Sequence, residues 1–141
     1  MERIAMSARF EGEAPMPAGE PPQTSPRGTS LSLDAVTADG SPAGFDRATY
    51  VNHATFTSES TFQESGTLTF GDGDGELDID TVGEGTLTPS PEPDVLHGAV
   101  SGRITAGRGR FEGATGMITS NFLLRTSGEF DERQVGIVFL P

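Results

Sequence analysis

Four glycines, Gly107, Gly109, Gly113 and Gly116, crowd residues 104–116 of this chain, between two runs of strand-forming residues, 97–105 and 117–126. Glycine tolerates positive φ and lets a second backbone or a bulky side chain come close. The stretch therefore reads as a corner joining two strands. Phe111 stands alone among these glycines as a large apolar side chain, and is expected to turn inward and plug one end of a sheet structure. What the corner joins is β, because no stretch of ten or more residues carries a 3.6-residue apolar period.

Alternation of apolar and polar residues places eight strands. The first covers residues 4–13, with Met6, Ala8 and Phe10 on one face. The second covers 29–37, with Leu31, Leu33 and Ala35 inward. The third, 48–62, turns Tyr50, Asn52, Ala54, Phe56 and Ser58 inward and His53 outward. The fourth, 66–71, carries Leu68 and Phe70 inward, and Asp72-Gly73-Asp74-Gly75 is a tight hairpin signal. The fifth, 76–88, alternates Leu77, Ile79, Thr81, Gly83, Gly85 and Leu87 against an acidic outer side. Residues 97–105 follow with Val100 and Ile104 inward, then 117–126 with Ile118, Phe122 and Leu124 inward. The last strand, 133–140, is apolar on both faces, which predicts a cover on both sides, the outer one being another subunit. Residues 12–28 hold Pro15, Pro17, Pro21, Pro22 and Pro26, a density that excludes helix and central strand. They read as a long loop or arm, and one role for it is a lid across a barrel mouth. The expected fold is all-β: one domain, 1–141, an eight-stranded antiparallel barrel that leaves no edge exposed. A sandwich is the alternative.

The net charge of −12, with no basic patch, argues against nucleic acid and against an anionic membrane surface. No apolar run reaches membrane-spanning length. The first residues lack a signal-peptide pattern and the chain has no cysteine, which predicts a soluble cytoplasmic protein. All nine basic residues are Arg, so Schiff-base lysine chemistry is excluded along with thiol chemistry. The acidic run Asp72, Asp74, Glu76, Asp78, Asp80 invites a calcium reading, but Leu77 stands where an EF-hand loop requires glycine. No metal and no cofactor are expected. His53 and His97 form no metal-binding or catalytic pattern, and a hydrogen-bonded or exposed histidine suits each. Arg103, Arg108 and Arg110 near the corner suit a structural salt bridge better than an anion site.

The segment "ITAGRGRFEGATG" resembles the "ITGG-x-G-x-F-x-G-A-x-G" segment of allene oxide cyclases, and more loosely the "GGTG-x-F" turn of plant dirigent proteins. Phe70-Gly71-Asp72 resembles the "FGD" hairpin of the cyclases. The resemblance covers about residues 66–140. It implies a small antiparallel barrel, oligomeric as a dimer or trimer. In the cyclases, it implies, an apolar barrel holds an unsaturated fatty-acid epoxide in a folded conformation. Dirigent proteins steer radical coupling, and related bacterial barrels shape polyketide cycloadditions.

Strand parity supplies the candidate site. A barrel of this size has room for packed side chains or one small ligand. Tyr50, Asn52 and Ser58 are inward polar groups on a wall that includes Phe56, Leu68, Phe70, Ile79 and Phe122. Tyr50 and Asn52 are the expected catalytic groups, and Phe56, Ser58, Leu68, Phe70, Ile79 and Phe122 the expected substrate contacts. The expected partner is a small apolar molecule. The expected activity is that of an isomerase or cyclase that holds a reactive conformer while Tyr50 or Asn52 polarises an oxygen. The alternative is a non-catalytic small-molecule-binding or dirigent-like structural barrel.

Overall fold

A computed structural model describes residues 1–15 and 23–141. Its strands are β1 (Glu2–Glu13), β2 (Gln23–Thr24), β3 (Arg27–Thr37), β4 (Ala48–Phe56), β5 (Thr61–Phe70), β6 (Gly75–Thr81), β7 (Gly85–Pro89), β8 (Val95–Gly109), β9 (Thr115–Arg125) and β10 (Glu129–Leu140). All pairings are antiparallel, and they close the ring β1-β3-β4-β5-β6-β8-β9-β10-β1. The short strands share positions in that ring. β2 continues the β3 position beside β4, and β7 continues the β6 position between β5 and β8. The result is a closed eight-stranded antiparallel barrel, as alternation predicts.

The break between β6 and β7 shows two uses of glycine. Gly83 takes φ +70° and makes the bend. Gly85 lies opposite Phe62, where a Cβ would collide with the Phe62 ring. One glycine turns the strand and the next leaves room for an aromatic ring.

The corner at 104–116 has the predicted form. β8 ends at Gly109, β9 starts at Thr115, and Phe111 between them is fully buried. Its ring packs 4.8 Å from Phe70 and 5.5 Å from Phe45. Phe45, in the loop before β4, completes an aromatic plug at this end of the barrel. Arg110 lies over the Phe45 ring at 4.9 Å and donates to the Ala43 carbonyl, which fixes that loop to the corner. Arg108 bridges Glu76 and Asp78 on β6, so of the three corner arginines Arg108 has the expected salt bridge, and the hairpin's acidic side is partly answered by the chain itself.

Four sequence expectations are corrected. Residues 48–62 are not one strand: β4 stops at Phe56 and the chain turns at Thr57–Ser60, held by hydroxyl contacts among Thr57, Ser58 and Thr61. That turn lacks glycine and proline, so nothing in its composition marks it, and Ser58 is exposed there. Leu31 points outward with 49% exposure, because β3 bulges opposite Arg9 and Phe10 and exchanges its faces at that point. The arm is shorter than 12–28, since Gly12 and Glu13 belong to β1 and Arg27 and Gly28 to β3. Its centre, residues 16–22, lies outside the described residues. Its ends are built into the wall: Ala14 donates to the Gly128 carbonyl, and Pro26 accepts from Asn52 N–H. On the outer face of β10 the chain itself supplies no cover, with Val135 59%, Ile137 46% and Phe139 36% exposed, which is where the sequence expects another subunit.

The plug generates a test. Phe111→Ala is expected to cost about 3–5 kcal/mol, the usual range for a large buried aromatic. Gly116→Val is expected to cost roughly 1–3 kcal/mol, because Gly116 sits at φ +136° and a Cβ there would strike the Ile137 carbonyl. Chemical denaturation measures both, and unchanged midpoints would overturn the plug-and-corner account.

Candidate functional site

The inward faces away from the plug are less uniformly apolar. β4 contributes Tyr50 and Asn52, β5 Glu64, β9 Ser120, and β10 Glu132 and Gln134. Together they form a polar belt across the middle of the barrel. Cross-strand glycines make room for it: Tyr50 lies over Gly28 and Asn52 over Gly66, each its direct partner in register.

Glu132 is the centre of the belt. It is 6% exposed and accepts hydrogen bonds from the Tyr50 hydroxyl, the Ser120 hydroxyl and, at 3.3 Å, the Gln134 amide. Burial pushes its carboxyl above the ordinary range, and those donors pull it back down. The Tyr50 hydroxyl is driven well above its ordinary pKa by burial and by the charge of Glu132, so it stays a donor. Glu64 has fewer partners. Burial first, then the charge of Glu132, raise it to about 7, against a hydrogen bond from Asn52 that lowers it. The belt therefore holds one carboxylate well supplied with donors and a second carboxyl that gains or loses its proton near neutrality.

Two small chambers meet at this belt, and Tyr50, Asn52, Glu64 and Glu132 line both. The front chamber, about 50 Å³, is walled by Phe56, Phe62, Phe122 and Phe130 and bordered by Ala14, Thr24 and Pro26 from the arm's ends. The rear chamber, about 40 Å³, adds Leu68, Ile79, Ser120 and Gln134. Both are well below the ~150 Å³ of a cavity that holds benzene, and each has room for a few waters. A ring-sized ligand enters the front chamber only if half-buried rings such as Phe56 and Phe122 rotate.

Of the residues expected from the sequence, Tyr50 and Asn52 lie in the belt. Phe56 and Phe122 line the front chamber, and Leu68 and Ile79 the rear. Phe70 is fully buried in the plug and lines neither, and Ser58 is exposed in the β4–β5 turn. His53 is exposed on the outer face, and His97, also exposed, bonds Asn121 at 2.6 Å. Sequence reasoning missed Glu64, Glu132 and Gln134. On β10 the outer series Val135, Ile137, Phe139 is more apolar than the inner series Glu132, Gln134, Gly136, so hydrophobicity alone points the wrong face inward. The missed signal lay in the register: extending the last strand back to Phe130 puts Glu132 and Gln134 on the same face as Val138 and Leu140.

Glu64 makes stability depend on pH. Its folded pKa of about 7 lies above the ordinary value of 4.5, so folding takes up a proton between those values. Its contribution is complete below the lower value and is lost as pH rises through the upper one. We expect roughly 2–3 kcal/mol of destabilisation across that window from this group. Melting curves between about pH 5 and pH 8 check it: Glu64→Gln should flatten the decline, and an unchanged slope would remove Glu64 as the cause.

No protein-family profile matches the chain, and no curated protein matches it. Solved structures do. The pterocarpan synthase dirigent protein GePTS1 is similar over 100% of this chain and 87% of its own, at 16% identity and a TM-score of 0.54. The pterocarpan synthase dirigent protein PsPTS1 is similar over 96% of this chain and 95% of its own, at 14% identity and a TM-score of 0.53. The likeness is to dirigent proteins and not to allene oxide cyclases in particular: this chain folds as a dirigent-like barrel.

Proposed function

We propose that this chain acts as a dirigent-like barrel that binds a small, apolar, oxygen-bearing molecule through the front chamber and fixes its conformation against the polar belt. One observation carries the reading: two inward carboxyls with a tyrosine and an asparagine form the floor of an aromatic-walled chamber. Buried polar groups of this kind are costly unless they are answered, and a carboxyl shifted by burial and a charged neighbour in a cleft is a functional-site candidate. The chain has no lysine or cysteine, and the carboxyls, hydroxyls and amides of the belt offer orientation and proton exchange. A second reading, an isomerase or cyclase, is favoured by Glu64, whose pKa of about 7 suits it to give and take a proton at neutral pH. Both structural neighbours are described as synthases.

Native mass spectrometry on protein purified from its own host, searching for a retained neutral molecule, tests the binding reading. Asn52→Leu keeps the fold but removes the donor to Glu64, and should weaken retention by about 1–3 kcal/mol. His53→Leu, one residue away on the outer face, should leave retention unchanged. Loss of ligand in His53→Leu but not in Asn52→Leu would move the site to the outside of the barrel.

The same reading includes self-association through the outer face of β9 and β10. Ile137 lies beside Met117, 43% exposed, and Phe139 beside Arg3. Arg103 neighbours Met117 on the other side. A second copy fits this apolar face flanked by arginines, because the chain as a whole carries a net charge of −12. Sedimentation should show an oligomer that Ile137→Lys dissociates, and a monomeric native chain would refute this part.

A further inference from the structure

No positive group faces the belt from inside the barrel. Among the described residues that line the two chambers there is no arginine and no histidine, and the chain has no lysine. The titratable groups there are Glu64 on β5, Tyr50 on β4 and Glu132 on β10, and the other strands that line the chambers present only neutral groups. Tyr50, Ser120 and Gln134 all donate to Glu132, which leaves Asn52 to answer an ionised Glu64. One amide is little for a charge held away from water. Glu64 is also the more accessible of the two carboxyls, part-buried where Glu132 is 6% exposed.

The chambers that meet at Glu64 are small, about 50 Å³ and 40 Å³, and each has room for a few waters. An ionised carboxylate there must draw in those waters, and waters and a guest cannot fill the same space. We infer that Glu64 is a proton-operated switch on the barrel interior: with its carboxyl neutral the chambers accept an uncharged guest, and when the proton leaves to solvent the carboxylate fills the same space with water and expels that guest. The inference rests on the small-molecule reading above and adds its regulation. Its direction follows from the raised carboxyl. Glu64 holds its proton up to about pH 7, so retention is complete in mild acid and is lost as pH rises through that value. Linkage makes the effect reciprocal: a guest that excludes water from Glu64 pushes its carboxyl higher still.

Xenon is the probe, because it is uncharged and monatomic and samples the chambers without a ring having to turn. Tyr50 is the sole tyrosine and lines both chambers, so its ring signals report occupancy. The full chain carrying ¹³C-labelled tyrosine is titrated with xenon at about pH 5.5 and about pH 8.5, with circular dichroism confirming the native fold at both. Xenon should bind about tenfold or more weakly at the higher pH, since apparent affinity falls with the fraction of Glu64 still protonated. In Glu64→Gln the affinity should stay at its low-pH level throughout. Under xenon, the pH midpoint of the Tyr50 signals should move upward, and a midpoint that stays put would overturn the switch. Equal affinity at both pH values would overturn the switch and leave the small-molecule reading intact. A pH dependence that survives in Glu64→Gln would overturn it by assigning the effect to another group, such as the exposed His53 or His97. Tighter binding at the higher pH would also overturn it. No response of Tyr50 to xenon at any pH would overturn both the switch and the cavity on which the small-molecule reading stands.

Discussion

The narrow interior of an eight-stranded barrel is the constraint from which the rest of this structure follows. Such a ring has little more space than its own side chains fill. Large inward groups are accommodated here by pairing each with a glycine on the adjacent strand. Tyr50 lies over Gly28, Asn52 over Gly66, Phe62 over Gly85, Phe122 over Gly98 and Phe130 over Gly12, each a direct cross-strand partner. At every one of these glycines a Cβ would fall within 3.0 Å of the facing side chain. Rings and glycines are thus two halves of one packing unit, and the glycine protects strand geometry by letting the ring lie flat. The high glycine content of the chain serves interior space as much as it serves turns.

The polar belt obeys a second constraint, the cost of charge away from water. Glu132 meets it with donors from three strands, since Tyr50 comes from β4, Ser120 from β9 and Gln134 from β10. With Glu132 so supplied, Glu64 experiences both burial and a neighbouring negative charge, and retains its proton to about pH 7. Burial raises both carboxyls, but Glu132 has three donors pulling it down while Glu64 has the neighbouring charge of Glu132 pushing it further up. Gly28 and Gly66 hold Tyr50 and Asn52 in place, so packing of the barrel also sets the electrostatics of its centre.

Much of this was legible in the sequence, and the failures have local causes. The parity of β4 was readable because Tyr50, Ala54 and Phe56 alternate with exposed Val51 and His53, and the Phe111 plug because one ring stood among glycines. Ser58 was misplaced because its turn is built from hydroxyl groups and carries no glycine or proline. Leu31 was misplaced because a bulge shifts the alternation by one residue, and a bulge has no signature in composition. Glu132 and Gln134 were missed because alternation reads apolar as inward, and a polar belt inside the barrel violates that rule. Their visibility depends on which strands close the ring, and single-strand patterns do not carry that information.

The two ends of the barrel then account for why the belt sits where it does. At one end Phe45 packs edge to face on Phe70 and on Phe111, which are tilted against each other, with Arg110 pinning the Phe45 loop. At the other end the rings of Phe56, Phe62, Phe122 and Phe130 leave space between them, bordered by Thr24 and Pro26. Aromatic faces and the described ends of the arm thus stand between this mouth and the hydrogen-bonding groups of the belt. Burial of Glu132 and Gln134 behind these rings lowers the local dielectric, which strengthens the hydrogen bonds they make. The plug is therefore more than a stabilising core. By closing one end it leaves the polar belt facing the aromatic mouth at the other, and so sets which end of the barrel its polar groups face.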